Sequence, residues 1–283
     1  DINWIRPLDK DIEAVFDPKK NKKFRKGEII RWVLYSKQGA LVGRVAAFVD
    51  GTYSFPSRFP TGGMGFFECI NEQEAANVLL DACKEWLVVR GKDAMDGPIN
   101  FGERDRWWGL LVEGFTPASY AANYNPPYYK QLLEAYGFQC FFKQYTFHRL
   151  LSTPVPEKYR RRAKVLFEDS NYHFDHIKAK ELDKYIEDFR IIYNKAWGGA
   201  HKNFQAMRSM QAKAIIYALK PVLDERIIYF AYYKDEPIGF FICIPEINQI
   251  VQHLNGQLNW WAKLKFAWHL KTATCNRMLG LIF

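Results

Sequence analysis

Two strand–turn–strand segments, far apart in the chain, limit the possible folds more than any other feature. Arg31-Trp32-Val33-Leu34-Tyr35 and Leu41 to Val49 are β-rich runs joined across Lys37-Gln38-Gly39. Ile228 to Tyr233 and Pro237 to Ile242 repeat the pattern across Lys234-Asp235-Glu236. Laid over one another, Tyr35 meets Tyr232 and Gly43 meets Gly239. A recurring hairpin at comparable places in two halves predicts a duplicated unit.

The segments around the first hairpin alternate in type. Residues 51–63 are rich in Gly, Pro, Ser and Thr and read as a loop, and Gly65 to Ile70 reads as a buried strand. Ala76, Leu79, Leu80, Cys83, Trp86 and Leu87 then recur at helical spacing. Asn71 with Glu74 three residues on forms a capping-box pattern, and Gly91 supplies the stop. A short strand at Ala94-Met95 leads into a polar stretch ending at Trp107-Trp108. Pro126-Pro127 open a helix that stops at Tyr136-Gly137-Phe138, and a strand over 141–150 is expected to close the half. Pro154, Pro156 and dense charge over 151–170 place the boundary, giving domains 1–152 and 153–283.

The second half opens with a strand over 172–177. A helix follows, with Leu182, Tyr185, Ile186, Phe189, Ile192 and Tyr193 on one face and a stop at Trp197-Gly198-Gly199. Another helix over 209–219 precedes the second hairpin, and Arg277 to Phe283 reads as a final strand. Strands interleaved with helices make the chain a mixed α/β protein.

Composition fits two packed domains: 283 residues, 48% hydrophobic and 25% charged. The five cysteines are scattered and never spaced C-x-x-C, which argues against a disulfide framework or a zinc ribbon. No apolar run approaches the roughly 18 residues of a membrane span, and no signal peptide opens the chain, which begins at Asp1 rather than Met. The expected compartment is the cytoplasm. The formal charge of +9 includes basic runs at 19–26 and 160–164. These are either solvated faces or a surface for a polyanion such as RNA.

With these residues in place, the order of hairpin, third strand, long helix, short strand and a helix ending in Tyr136-Gly137-Phe138 resembles the GCN5-related N-acetyltransferase (GNAT) fold. Gly97-Pro98-Ile99-Asn100, Leu110 to Phe115 and Tyr124-Asn125-Pro126-Pro127-Tyr128-Tyr129 are similar to phrases of a bacterial family of tandem GNAT-like proteins. The resemblance implies two acyl-CoA N-acyltransferase folds in tandem, the second cut short at the C-terminus. It implies acetyl-CoA or another acyl-CoA as donor in the full-length protein, and a small-molecule or peptide amine as acceptor.

Two departures from that family stand out. GNAT enzymes hold the cofactor pyrophosphate on a glycine-rich loop that opens a helix. The matching place here is Asn71-Glu72-Gln73-Glu74-Ala75-Ala76, which has no glycine and carries two carboxylates. No cofactor is therefore expected on residues 1–283, and a loop beyond Phe283 would be needed to supply one. The family's acid tyrosine would fall at Leu133, which cannot donate a proton.

The candidate site residues each have a plain alternative. Glu68 matches a general-base position if burial raises its pKa; otherwise it is a solvent-facing or Arg-paired strand residue. Asn100, Glu103, Arg104, Arg106 and Trp107 form either a binding rim or a self-paired ionic loop with a tryptophan plugging the core. Tyr124, Asn125 and Tyr128 make a pocket wall or a helix-entry brace. Trp197 and His201 line an acceptor site or belong to a helix stop. His173 and His176 point to opposite faces of a strand and are poor metal ligands. Trp260, Trp261, Leu264 and Trp268, interleaved with lysines, read as a helix packed over the sheet or as a membrane-surface helix.

The functional expectation is a GNAT-like acyltransferase whose first domain is degenerate, with an acceptor amine attacking an acyl thioester in the second. The rivals are an aminoacyl-tRNA-dependent transferase and a non-catalytic ligand- or protein-binding module.

Overall fold

The computed structural model describes residues 1–51, 59–198, 204–272 and 274–282. In chain order, α1 (Asp9–Phe16) precedes the hairpin strands β1 (Gly27–Tyr35) and β2 (Leu41–Asp50). Strand β3 (Thr61–Cys69), α2 (Gln73–Val88) and β4 (Ala94–Asp96) form a strand–helix–strand crossover, followed by α3 (Tyr129–Tyr136). Then come α4 (Glu157–Glu168), β5 (Tyr172–His176), α5 (Leu182–Gly198) and α6 (Ser209–Leu219). The chain continues through β6 (Ile228–Tyr233), β7 (Glu236–Pro245), α7 (Asn248–Val251), α8 (Trp260–Lys271) and β8 (Met278–Ile282).

The chain divides into two compact units. One comprises Asp1–Lys143 with Asn248–Trp268; the other comprises Gln144–Ile247 with His269–Phe283. Residues 248–268, which the sequence groups with the second half, thus belong with the first unit.

In the first unit the sheet runs β1-β2-β3-β4, antiparallel except for the parallel β3–β4 pair that the α2 crossover requires. Apolar side chains of α2 and α3 cover one face: Leu79, Leu80, Cys83, Leu132 and Leu133 pack on Val45, Ala47 and Met64. Val15, Phe48, Ile99 and Phe101 form a smaller core with Phe24, Phe66 and Trp107 packed against it. A third cluster joins Leu8 to Val251, Leu254 and Ala262, which is why 248–268 belongs to this unit.

Strand β3 departs from simple alternation. Arg44 pairs with Glu68 and Ala46 with Gly65, so Val45 faces two residues, Phe66 and Phe67. This is a β-bulge, and Phe66 takes a left-handed φ of 51° to make it. The extra residue shifts the phase of the strand. Met64, Phe67 and Cys69 consequently share the helix-covered face, while Phe66 joins Phe16 and Trp107 in the smaller core.

In the second unit β5-β6-β7-β8 is antiparallel throughout. One face is covered by α5 and α6, whose Tyr185, Phe189 and Ile216 pack on Ile228, Phe230 and Ile242. On the other face Tyr229 and Phe241 remain exposed.

The two hairpins share a detail of register. In β1–β2, Leu34 pairs with Gly43 and the register then slips so that Tyr35 pairs with Leu41. In β6–β7, Ala231 pairs with Gly239 and the register slips so that Tyr232 pairs with Pro237. The slip thus falls at the positions matched by sequence overlay. Their surroundings differ: a Cβ on Gly43 would lie 2.6 Å from Leu79 Cδ1 and 2.8 Å from the Glu68 carbonyl oxygen, whereas one on Gly239 would meet only Ala231 Cβ at 3.9 Å.

Several expectations are corrected. Residues 141–150 form no strand: Phe141, Phe147 and Leu150 are exposed, and β-propensity alone gives no ladder without a partner edge. The proposed linker holds α4, a helix with no buried residue. The N-cap of α2 is Glu72 rather than Asn71, and no side chain bonds to the helix start. The buried side of helix α8 packs on Leu8, Val251 and Leu254.

Candidate functional site

In the first unit, the end of β3 and the start of α3 are locked together around Cys69. The buried Tyr129 hydroxyl accepts from Cys69 N at 2.9 Å, and the Tyr128 hydroxyl donates to Cys69 O at 2.8 Å. The neighbouring rings meet edge-on at 5.1 Å. Burial raises both phenols and the Cys69 thiol above their ordinary values, so all three stay protonated and act as fixed hydrogen-bonding groups. Gln73 Nε2 ties α2 to α3 by donating to Leu132 O at 3.1 Å. Gly137, at φ 118°, ends α3, and its N–H donates to Glu134 O.

Glu68 stands beside this lock on the opposite strand face. Its side chain is more than half exposed and accepts from Arg44 Nη2 at 2.7 Å. The phase shift of the bulge turns it away from the helix-covered core. Tyr128 is a helix-entry brace, and Leu133 is buried in the core.

The polar-aromatic loop places its candidates in different settings. Asn100 is 4% exposed, and its Oδ1 is buried without a hydrogen-bond partner. The side chain is accommodated because residue 102 is glycine: a Cβ there would lie 2.6 Å from Asn100 Nδ2. Trp107 adopts φ 43°, its N–H donates to Ala121 O at 2.7 Å, and its ring packs 6.1 Å from Phe66. Arg106 lies 3.8 Å from Asp105, and the Arg104 guanidinium sits over the Trp108 ring. Glu103 is exposed, 3.8 Å from Lys23. Trp107 and Trp108 pack against the smaller core of Val15, Phe48, Ile99 and Phe101.

Asn125 is fully engaged. Its Oδ1 accepts from Leu111 N at 2.9 Å, and its Nδ2 donates to Leu111 O and Pro126 O. It clamps the loop to the entry of α3. Tyr124 donates to Asp1 at 2.8 Å on the surface.

In the second unit, Trp197 is exposed near the end of α5, its ring 6.1 Å from Tyr193. His201 lies outside the described residues. His173 and His176 do point to opposite faces: His173 stacks on Tyr232, and His176 lies against Tyr229. No cluster of metal-ligating side chains occurs among the described residues.

The sequence reading missed a polar network inside this unit. Tyr232 donates to the buried Asp188 at 2.7 Å, and Lys184 Nζ lies 3.1 Å from the same hydroxyl and 3.8 Å from Asp188. Tyr185 donates to Asp175 at 2.8 Å, and Lys178 reaches Asp175 at 2.9 Å. Burial opposes ionisation of Asp175, yet hydrogen bonds from Lys178 and Tyr185 prevail and hold its carboxyl below the usual range. Burial and the Asp188 bond push the Tyr232 phenol upward. Lys184 also lines a surface hollow of about 350 Å³ with Lys180, Tyr217 and Lys220. The available signal was an aspartate next to Phe189 in the apolar stripe of α5; its partner is 44 residues away.

The start of α2 does not fit a pyrophosphate. Glu72 caps it, Glu74 lies in its first turn, and a carboxylate pair there repels an anion.

No protein-family model matches the chain. It is 27% identical over 273 residues to the bacterial ceramide synthase of Caulobacter vibrioides, a match covering 96% of this chain and 70% of that protein. It is 25% identical over 288 residues to Protein YghO of Escherichia coli K12, covering 96% of this chain and 69% of that protein. Among solved structures, the chain overlaps a fungal multi-domain GH3 β-N-acetylglucosaminidase with a GCN5-related glucosamine N-acetyltransferase region. That overlap has a TM-score of 0.40 and 17% identity, and covers 84% of this chain and 24% of the fungal one.

Proposed function

We propose that this chain belongs to an N-acyltransferase that joins a fatty acyl group to the amine of a long-chain base, the bond that defines a ceramide. The observation that carries this reading is the likeness to the bacterial ceramide synthase along 96% of the chain. The reaction class agrees with the GNAT-like order of strands and helices: an amine nitrogen attacks a thioester carbonyl, a C–N bond forms, and the thiol leaves. The common register slip of the two hairpins supports two GNAT-like halves, near 1–152 and 153–283. In the first half the acidic start of α2, the ion-paired Glu68 and the buried Leu133 favour a structural or acceptor-binding role over catalysis. An acyl-CoA donor therefore has no phosphate cradle at α2, and no step is assigned to it there.

The experiment is direct. The full-length protein is incubated with a long-chain acyl-CoA and sphinganine, and the lipid fraction is analysed by mass spectrometry. An N-acyl product that needs both substrates is expected. A long-chain base left unacylated, with short polyamines or peptide amines acylated instead, would refute the substrate class. No acylation of any amine would refute the reaction.

A further inference from the structure

Helix α8 is apolar on two opposite sides, one packed into a core cluster and the other largely exposed. Ala262 and Phe266 pack into the cluster of Leu8, Val251, Leu254 and Leu258. The Asn259 side chain caps the helix by accepting from Ala262 N at 3.0 Å, which anchors the start of α8 next to that contact. The opposite side carries Trp260, Trp261, Leu264 and Trp268, which are 64%, 74%, 47% and 60% exposed. At 3.6 residues per turn these four lie within an arc of about 100°.

Such an arc is unusual on a water-facing surface, because tryptophans are large and lose favourable burial when left in water. Trp260 and Trp261 stand edge-on with centroids 5.0 Å apart, so they form one contiguous patch. Lys263 and Lys265 border the arc on either side, and α8 contains no Asp or Glu. Lys265 is steadied by donating to His253 O at 2.9 Å.

These features agree on one kind of occupant. Indole rings prefer the boundary between hydrocarbon and headgroup, where the ring is desolvated and the N–H stays hydrogen-bonded. Lysines flanking an apolar arc extend their ammonium groups to the headgroups while their stems follow the apolar surface. With no carboxylate on the helix, the charge complement is an anionic lipid. We propose that α8 docks the protein on the surface of an anionic phospholipid bilayer, with Trp260, Trp261 and Leu264 in the interface and Lys263 and Lys265 at the phosphates. No helix of the described residues is long and apolar enough to cross a membrane, so the contact is made in the plane of the surface. The argument is independent of the acyltransferase reading.

Co-sedimentation with phosphatidylglycerol/phosphatidylcholine vesicles tests it, with pure phosphatidylcholine as reference. Binding is expected to the anionic vesicles and to weaken as salt is raised. A Trp260→Ser/Trp261→Ser variant should bind about tenfold or more weakly. Lys263→Glu changes two charges, and at roughly fivefold per charge near an anionic surface it should cost about 30-fold. All three positions are exposed, so neither variant removes a side chain from the core. In the unaltered protein, brominated lipid should quench tryptophan fluorescence, and the double variant should lose that component. Absent sedimentation with anionic vesicles, or equal binding by the double variant, overturns the proposal. A self-associated protein that ignores vesicles and is made monomeric by the tryptophan changes would also overturn it, and would assign the patch to a second copy of the chain.

Discussion

Replacing Gly43 and Gly239 by alanine tests whether matched hairpin positions do different structural work. A Cβ at 43 would stand 2.6 Å from Leu79 Cδ1 and 2.8 Å from the Glu68 carbonyl oxygen. The leucine methyl can turn aside at the cost of its packing in the core under α2, but the backbone oxygen is fixed by the β2–β3 ladder. Overpacking of this kind costs about 1–3 kcal/mol. At roughly 2–4 °C per kcal/mol for a domain of this size, Gly43→Ala should lower the midpoint of the first unit by roughly 2–12 °C. At 239 the added methyl meets only Ala231 Cβ at 3.9 Å, and the position lacks the left-handed φ that would exclude alanine. Reduced freedom of the unfolded chain should make Gly239→Ala neutral or stabilising by up to about 1 kcal/mol. Calorimetry of the two single variants supplies the comparison. Equal destabilisation by both, or a harmless Gly43→Ala, would refute the claim that α2 sits on β2 through the absent side chain.

Tyr129→Phe should destabilise by about 1–3 kcal/mol, because the buried Cys69 N–H would lose its acceptor; urea denaturation measures it. Asp188→Ala should cost a similar amount, since the Tyr232 hydroxyl would lose its acceptor, and the second unit should melt earlier in calorimetry. A thiol reagent at pH 8 should modify the exposed Cys140 in the native protein and leave Cys83 untouched until denaturant is added, because burial pushes the Cys83 thiol up to about 12. The same shift makes stability pH-dependent. Above the ordinary thiol value near 9 the unfolded chain releases a proton that the folded chain keeps, so stability present below pH 9 should fall as pH rises toward 12.

The parts legible in the sequence were those written in one periodicity. The hairpins show as alternating β-rich runs, and α2 and α5 show as 3.6-residue stripes, because each element buries a single face. The bulge at Phe66 was not legible. It shifts the phase of β3 by one residue, so Met64, Phe67 and Cys69 share a face despite unequal spacing. Alternation from Gly65 onward therefore said little about which way Glu68 would point. Asp188 and Tyr232 were hidden for another reason: neither is unusual locally, and their bond links a helix to a strand 44 residues away. In α8 the apolar composition was plain, but composition does not say which of two apolar sides is covered.

That last ambiguity extends to the two hairpins. The two hairpins share a register slip, yet the face marked by Gly43 is under α2 while the face marked by Gly239 presents Tyr229 and Phe241 to solvent. A glycine is needed only where something presses on it, so the two hairpins share a backbone pattern while the packing reason for the glycine is present in one. The polar chemistry is divided differently as well. In the first unit Tyr128 and Tyr129 bond to backbone groups at Cys69, which fixes the join of β3 and α3, while Tyr120, Tyr124 and Tyr136 donate to Asp11, Asp1 and Asp81. In the second, tyrosines pair with carboxylates, and Lys184 connects that network to a hollow. Buried phenol–carboxylate pairs beside a cation are where small changes of surroundings move protons. In the second unit Lys184 stands beside such a pair and also lines the hollow, so a ligand entering there would meet groups able to exchange protons.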